Sequence, residues 1–176
     1  MTAVPSISLA TRHDVPALAA LHASVALDMT REFGEGGWSG FPSAAGVKRQ
    51  LGASRVLVAR CEAGVVGTVR LARAQPALFD AAAFTPVANA FYVLGLAVAP
   101  ASRGRGVGRA LMESAKEATR SAPMDALWLD VYDHAAGAGS FYEKCGFRKV
   151  GRVSHQRTVL VGYEWLAAPS ESVSDP

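Results

Sequence analysis

The chain is poor in cysteine, in net charge and in long apolar runs. Its two cysteines, Cys61 and Cys145, lie far apart, and the four histidines show no metal-type spacing. Neither a disulfide framework nor a metal site is therefore expected. The two thiols read as free and buried in a reducing compartment, and the chain as cytoplasmic. A formal net charge of +3 suits an anionic ligand but is too small to argue for nucleic acid. No apolar run approaches the roughly 20 residues of a membrane span. The opening "MTAVPSISLATRHD" lacks a basic start followed by an apolar block, so no signal peptide is expected. What the chain does have is hydrophobic content: half of its 176 residues, enough for one sizeable core. One domain over residues 1–167 is expected, followed by a polar, disordered tail over residues 168–176.

Patterning predicts alternating strands and helices. Residues 6–10 alternate as a short strand. Asp14 then caps a helix that carries Pro16 in its first turn and Leu18, Leu21, Val25 and Met29 on its buried face. Residues 33–40 form a glycine-rich loop, and a second helix runs from Ser43 to about Leu51. Residues 56–61 and 65–72 make a hairpin turned by Glu62, Ala63 and Gly64. Residues 75–90 are a surface excursion, long for a hairpin connection. The apolar strand that follows is ended by Pro100 and holds Gly95 in its middle, which marks a bulge or a close approach. The next helix puts Val107, Ala110, Leu111, Ser114, Ala115 and Ala118 on one face. A strand over 126–132, a short helix stopped by Gly146 and a last antiparallel pair over 147–153 and 158–167 complete the order. That order predicts an α/β domain with a mixed sheet, helices on both faces and one parallel crossover.

The run "SRGRGVGRAL", residues 102–111, sits between the apolar strand and an amphipathic helix. A strand entering a glycine-rich turn and then a helix aims several backbone N–H groups at one point, where the helix dipole adds positive character. An anion cradle and an ordinary turn with solvated arginines both fit this local pattern. The run is neither a Walker loop, which needs Lys then Ser or Thr, nor a dinucleotide fingerprint, because the last glycine of that pattern would fall on Arg109. It occurs once and is flanked by core patterning, unlike disordered Arg/Gly segments that bind RNA.

In its wider frame, "LGLAVAPASRGRGVGRALM" resembles motif A of the GNAT superfamily of N-acetyltransferases, whose loop reads (Gln/Arg)-x-x-Gly-x-(Gly/Ala), here on Arg103, Gly106 and Gly108. "FYEKCGF" resembles motif B of the same family, a tyrosine-bearing helix that ends in Gly-Phe. With the opening strand and "TRHDVPAL", the resemblance covers nearly the whole chain. It implies a mostly antiparallel sheet with a splayed central parallel strand pair, the GNAT acyltransferase fold. It implies acetyl-CoA as co-substrate and no metal. Backbone N–H groups over Arg103, Gly104, Arg105, Gly106, Val107, Gly108 and Arg109 would hold the pyrophosphate, and Leu96, Ala97 and Val98 would pair with the pantetheine arm. A bulge at Gly95 would open the cleft for that arm.

The implied chemistry is direct attack of a neutral amine on the thioester in a ternary complex. An N–H near Val98 would stabilise charge on the carbonyl oxygen, and Tyr142 would protonate the departing thiolate. Tyr142 read without the motif is a packed aromatic at a helix edge. For the base, Glu32, Glu35, Asp130, His134 and water all stand as candidates. One departure is Ala135, which occupies a position where many relatives carry an asparagine that helps hold the pantetheine arm; Tyr132 or His134 could substitute. Residues 75–90, Trp38 and Phe41 are candidates for shaping an acceptor pocket. The acidic group Asp28, Glu32 and Glu35 leans the acceptor towards a cationic small molecule. The expected partner is thus an amine-bearing acceptor, with no nucleic acid and no membrane, and a homodimer is compatible. The rival from another class is a coenzyme A-binding regulatory or interaction module without catalysis.

Overall fold

A computed structural model of the chain describes residues 5–62, 64–77, 79–155 and 158–167. Ala63 of the expected turn and the expected tail at 168–176 lie outside the described residues. The chain runs β1 (Ser6–Leu9), α1 (Val15–Phe33), α2 (Ala44–Ala53), β2 (Arg55–Cys61), β3 (Gly64–Ala72) and β4 (Ala90–Val98). It continues through α3 (Val107–Ser121), β5 (Ala126–Tyr132), α4 (Gly139–Lys144), β6 (Arg148–His155) and β7 (Thr158–Leu166). The strands form one sheet of order β1-β2-β3-β4-β5-β7-β6. Among the described residues every neighbouring pair is antiparallel except β4–β5 at the centre. The expected single mixed sheet is therefore present.

Each face of the sheet carries its own apolar layer. Leu18 of α1 and Val47 of α2 pack on Val56 and Val58 of β2. On the other face Leu111, Met112 and Ala115 of α3 join Leu57, Val69 and Leu127 of the strands. Burying side chains of this size stabilises by about 1.5–3 kcal/mol each. The buried stripe of α3 is rotated from the expected one. Met112, Lys116 and Thr119 are buried, while Ala110, Ser114 and Ala118 are half-buried. The cause is α4: Lys116 lies between the two helices and donates through Nζ to the carbonyl of Cys145 at 2.6 Å. In α1 the fully buried residues are Leu18, Leu21 and Ala26, with Val25 and Met29 half-buried.

Three further expectations are corrected. Asp14 does not cap α1 with its side chain. Its carboxylate accepts from the Thr11 N–H at 2.7 Å and pairs with Arg60 of β2 at 2.8 Å, because the chain first makes a 3-10 turn there. Cys61 is exposed rather than buried, since it ends β2 at the hairpin turn; Cys145 is buried as expected. The excursion between β3 and β4, expected on the surface, builds a second core. Its Phe79 and Phe84 stack 4.9 Å apart, and Phe84 lies 5.1 Å from Trp128. Glu164 of β7, 1% exposed, pins the same segment by accepting from the Thr85 N–H at 2.8 Å and hydroxyl at 2.7 Å, while also pairing with Arg148.

Two irregularities in β4 position the site. Pairing with β5 runs through Ala90↔Ala126, Phe91↔Leu127 and Tyr92↔Trp128 and then stops. β5 continues alongside β7 as far as Tyr132↔Leu160, so the central parallel pair splays open. Against β3, Thr68 pairs with Ala97 but Arg70 with Leu94, leaving one extra residue on β4. Gly95 sits in this bulge with φ +60°, a left-handed conformation that glycine adopts without strain.

Candidate active site

The glycine-rich turn expected to cradle an anion offers backbone rather than side chains. Gly104 (φ +71°) and Gly106 (φ +81°) turn the chain left-handed before α3, with Gly106 as its N-cap. The N–H groups of Ser102 and Arg103 bond back to Ala99 and Pro100, and that of Ala110 bonds to Gly106. Between them, the N–H groups of residues 104–109 donate to no backbone carbonyl among the described residues, so they remain for an outside acceptor. A Cβ at Gly104 or Gly106 would meet no protein atom within 4 Å, so the space above the turn is open. Gly108 differs: a Cβ there would lie 3.1 Å from Phe141 Cζ, so this glycine lets α4 approach α3. Val107 is buried against β3. Arg105 and Arg109 are exposed beside the turn. Arg103 instead reaches across to α1 and pairs with Asp28 at 2.6 Å.

The splay between β4 and β5 forms a cleft of about 470 Å³, walled by Val93, Gly95, Asp130, Tyr132 and Leu160. The Ala99 N–H bonds to Val66 of β3 at 2.9 Å. Alternation along the strand therefore turns the Val98 N–H the other way, towards the edge that β5 has left. Leu96 and Val98 are half-buried on this strand, and Ala97 is buried on the register with Thr68. Beyond the bulge, on the α1–α2 side, lies a second cavity of about 180 Å³. His22, Gln50, Thr68, Arg70 and Gly95 line it. Gly95 thus belongs to both cavities. A Cβ on it would lie 3.8 Å from His22 Cε1, so the imidazole stands directly over the bulge. Burial, aided by the charge of Arg70, holds His22 below the ordinary imidazole value.

Tyr142 lies in the main core, with ring centroids 5.2 Å from Phe141, 5.7 Å from Phe147 and 6.3 Å from Tyr163. Burial foremost, then Cys145 and Asp130, pushes its hydroxyl well above the ordinary tyrosine range. It stays protonated at any working pH. The Gly108–Phe141 contact brings α4 against the first turn of α3, beside Val98 of the splayed strand.

The remaining expected residues are distributed differently. Asp28 is held by both Arg31 and Arg103, which neutralises the centre of the acidic group expected at the end of α1. Glu32 and Glu35 are exposed. Asp130 lines the cleft. His134 is exposed, stacked on Trp38 at 5.3 Å, and its Nδ1 accepts from the Ala136 N–H at 3.1 Å. Tyr132 stands 5.4 Å from the same Trp38, whose loop thereby clasps the open end of β5. Ala135 is an exposed turn residue, and Phe41 is also exposed. None of Glu32, Glu35, Asp130 or His134 lines the cavity at His22. His22 and Arg70 went unread in the sequence. The signal was there: an arginine interrupts the apolar strand "VVGTVRLA", and His22 adjoins the buried stripe of α1.

The profile of the acetyltransferase (GNAT) domain matches residues 52–149. Among solved structures, the chain is similar to the ribosomal-protein-alanine N-acetyltransferase from Brucella melitensis. The identity is 22% and the TM-score 0.71, over 92% of this chain and 99% of that one. It is likewise similar to the ribosomal-protein-S18-alanine N-acetyltransferase from Escherichia coli, with 17% identity, TM-score 0.70 and coverage of 97% and 99%. A third is the PaiA N-acetyltransferase from Thermoplasma acidophilum in complex with coenzyme A, with 13% identity, TM-score 0.70 and coverage of 93% and 100%. At these identities the likeness is one of fold. No curated protein matches the sequence.

Proposed function

Since this chain belongs to the GNAT acetyltransferase family, we propose that it transfers the acetyl group of acetyl-CoA to a primary amine by direct attack in a ternary complex. The observation that carries the reading is Gly95, the shared wall of two cavities. A donor in the β4–β5 cleft and an acceptor in the α1–α2 cavity would meet at one bulge.

The residues fit the donor. Six unbonded N–H groups over residues 104–109 suit a pyrophosphate, and the Cβ-free space at Gly104 and Gly106 lets it approach. Acetyl-CoA supplies an acetyl group activated as a thioester. The Val98 N–H, turned to the cleft, acts as donor to the developing oxyanion. His22, kept neutral, takes the proton that the acceptor ammonium must lose. Tyr142, kept protonated, gives a proton to the leaving thiolate. With a hydroxyl so weakly acidic, that donation assists and does not drive the step.

The test is turnover of acetyl-CoA by the purified chain with a panel of amines, following thiol release. Amine-dependent release with formation of an amide is the expected result. Tight acetyl-CoA binding with no release for any amine would instead favour a non-catalytic coenzyme A-binding module.

A further inference from the structure

The α1–α2 cavity holds an unanswered charge. Arg70 enters it from β3 and is half-buried, and burial lowers the pKa of its guanidinium. Its hydrogen bond within the protein is a long one, to Ser54 Oγ at 3.4 Å. No carboxylate pairs with it among the described residues, whereas Arg60, on the neighbouring strand β2, is paired with Asp14. A half-buried cation without an anion costs stability unless something else supplies the counter-charge. Nothing lining the cavity does so: Arg70 is its only charged lining residue among those described. Thr68, on the same strand, already spends its hydroxyl on the Leu57 carbonyl at 2.8 Å. Gln50 adds a neutral amide from α2. The volume of about 180 Å³ equals that of roughly six liquid waters at ~30 Å³ each, the scale of a small metabolite and far below that of a folded partner.

We propose that this cavity is the acceptor subsite and that its substrate is an amino-acid-sized amine bearing a carboxylate, with the carboxylate on Arg70 and the amine at the Gly95 bulge. The assignment rests on the acetyl-transfer reading. It reverses the expectation of a cationic acceptor; of the acidic group behind that expectation, Asp28 is already paired with Arg31 and Arg103. A planar guanidinium binds a carboxylate through two parallel N–H donors, which fixes orientation as well as charge. The bound acid would then present its nitrogen beneath His22. In the step, the ammonium proton passes to the imidazole, the nitrogen lone pair forms the N–C bond, and as the C–S bond breaks the nitrogen gives up its second proton to water and becomes the amide N–H. The thiolate takes the proton of Tyr142, and both side chains re-equilibrate with solvent.

The experiment uses the full chain, acetyl-CoA and free amino acids, each matched with its methyl ester and its decarboxylated amine. At least one free acid should exceed both analogues by about 10- to 100-fold in kcat/KM, mostly through KM, because a site built to hydrogen-bond a group rejects the analogue that lacks it. Arg70→Gln should collapse that ratio towards unity while leaving acetyl-CoA affinity, read by calorimetry, as in wild type. Arg70→Lys should retain part of the ratio and serves as the variant of record if Arg70→Gln does not fold. Equal use of acid and ester by the wild type overturns the assignment, as does an Arg70→Gln variant that slows all three forms alike. Acetylation of no amine at all overturns the transfer reading itself, and this assignment with it.

Discussion

Tyr142 shows how one hydroxyl is shaped by what surrounds it. Its ring is part of the core, so Tyr142→Phe keeps the packing, and acetyl-CoA affinity and thermal stability should stay close to wild type. If the hydroxyl serves the leaving thiolate, kcat should fall by roughly 10- to 1000-fold with little change in KM. The deficit should shrink with a donor whose thiol is more acidic and leaves without help. A variant with wild-type kcat, measured where chemistry limits the rate, would assign Tyr142 to packing alone. His22 makes the opposite case: burial lowers its pKa as burial raises that of Tyr142, so the proposed base is deprotonated and the proposed acid protonated at the same pH.

At the scale of the element, the start of α3 separates glycines that look alike in sequence. Gly104 and Gly106 have positive φ and open space above them, whereas Gly108 is helical and faces Phe141. Gly106→Val should therefore weaken acetyl-CoA binding by at least tenfold, about 1.4 kcal/mol or more, because a branched Cβ resists the left-handed turn and fills the cradle. Calorimetry on the folded variant checks this, and unchanged affinity would remove the cradle. Arg103→Ala should cost less in binding, since its side chain is engaged with Asp28 and the cradle is made of backbone. Its effect belongs to the α1 tether and should appear first in thermal stability.

Across the whole molecule, the ion pair Asp14–Arg60 ties the entry of α1 to β2. Arg60 holds the Asp14 carboxyl at about 2, down from 3.8. A folded-state pKa below the unfolded one gives stability that is present above pH ~4 and is lost as the pH falls through about 2. The contribution is on the order of 1–2 kcal/mol. Urea midpoints measured from pH 6 down to pH 2 should show this loss in wild type and a smaller one in Asp14→Asn, which should already be less stable at pH 6. Parallel curves for the two proteins would mean that the pair contributes nothing measurable.

Much of this architecture was legible in the chain. Alternation marked the strands, 3.6-residue spacing marked α1 and α3, and Gly95 marked the bulge, because each of these signals is local. Motif A and motif B carried the family, since a backbone cradle needs glycine at set positions whatever surrounds it. Other features required the tertiary structure. Phe79 and Phe84 looked like surface residues because their partners, Tyr92 and Trp128, come from strands met later in the chain. Asp28 read as an acceptor carboxylate until folding brought Arg103, 75 residues away, against it. Arg70 and His22 were visible as letters, but their pairing was not: one faces inward from β3 and the other from α1, and only the packing of that helix on the sheet encloses both beside Gly95. Sequence determined the elements and the donor loop because both depend on near neighbours. The proposed acceptor cavity was decided by folding, because its walls come from five separate elements and the charge left unpaired there depends on which carboxylates the fold has already spent.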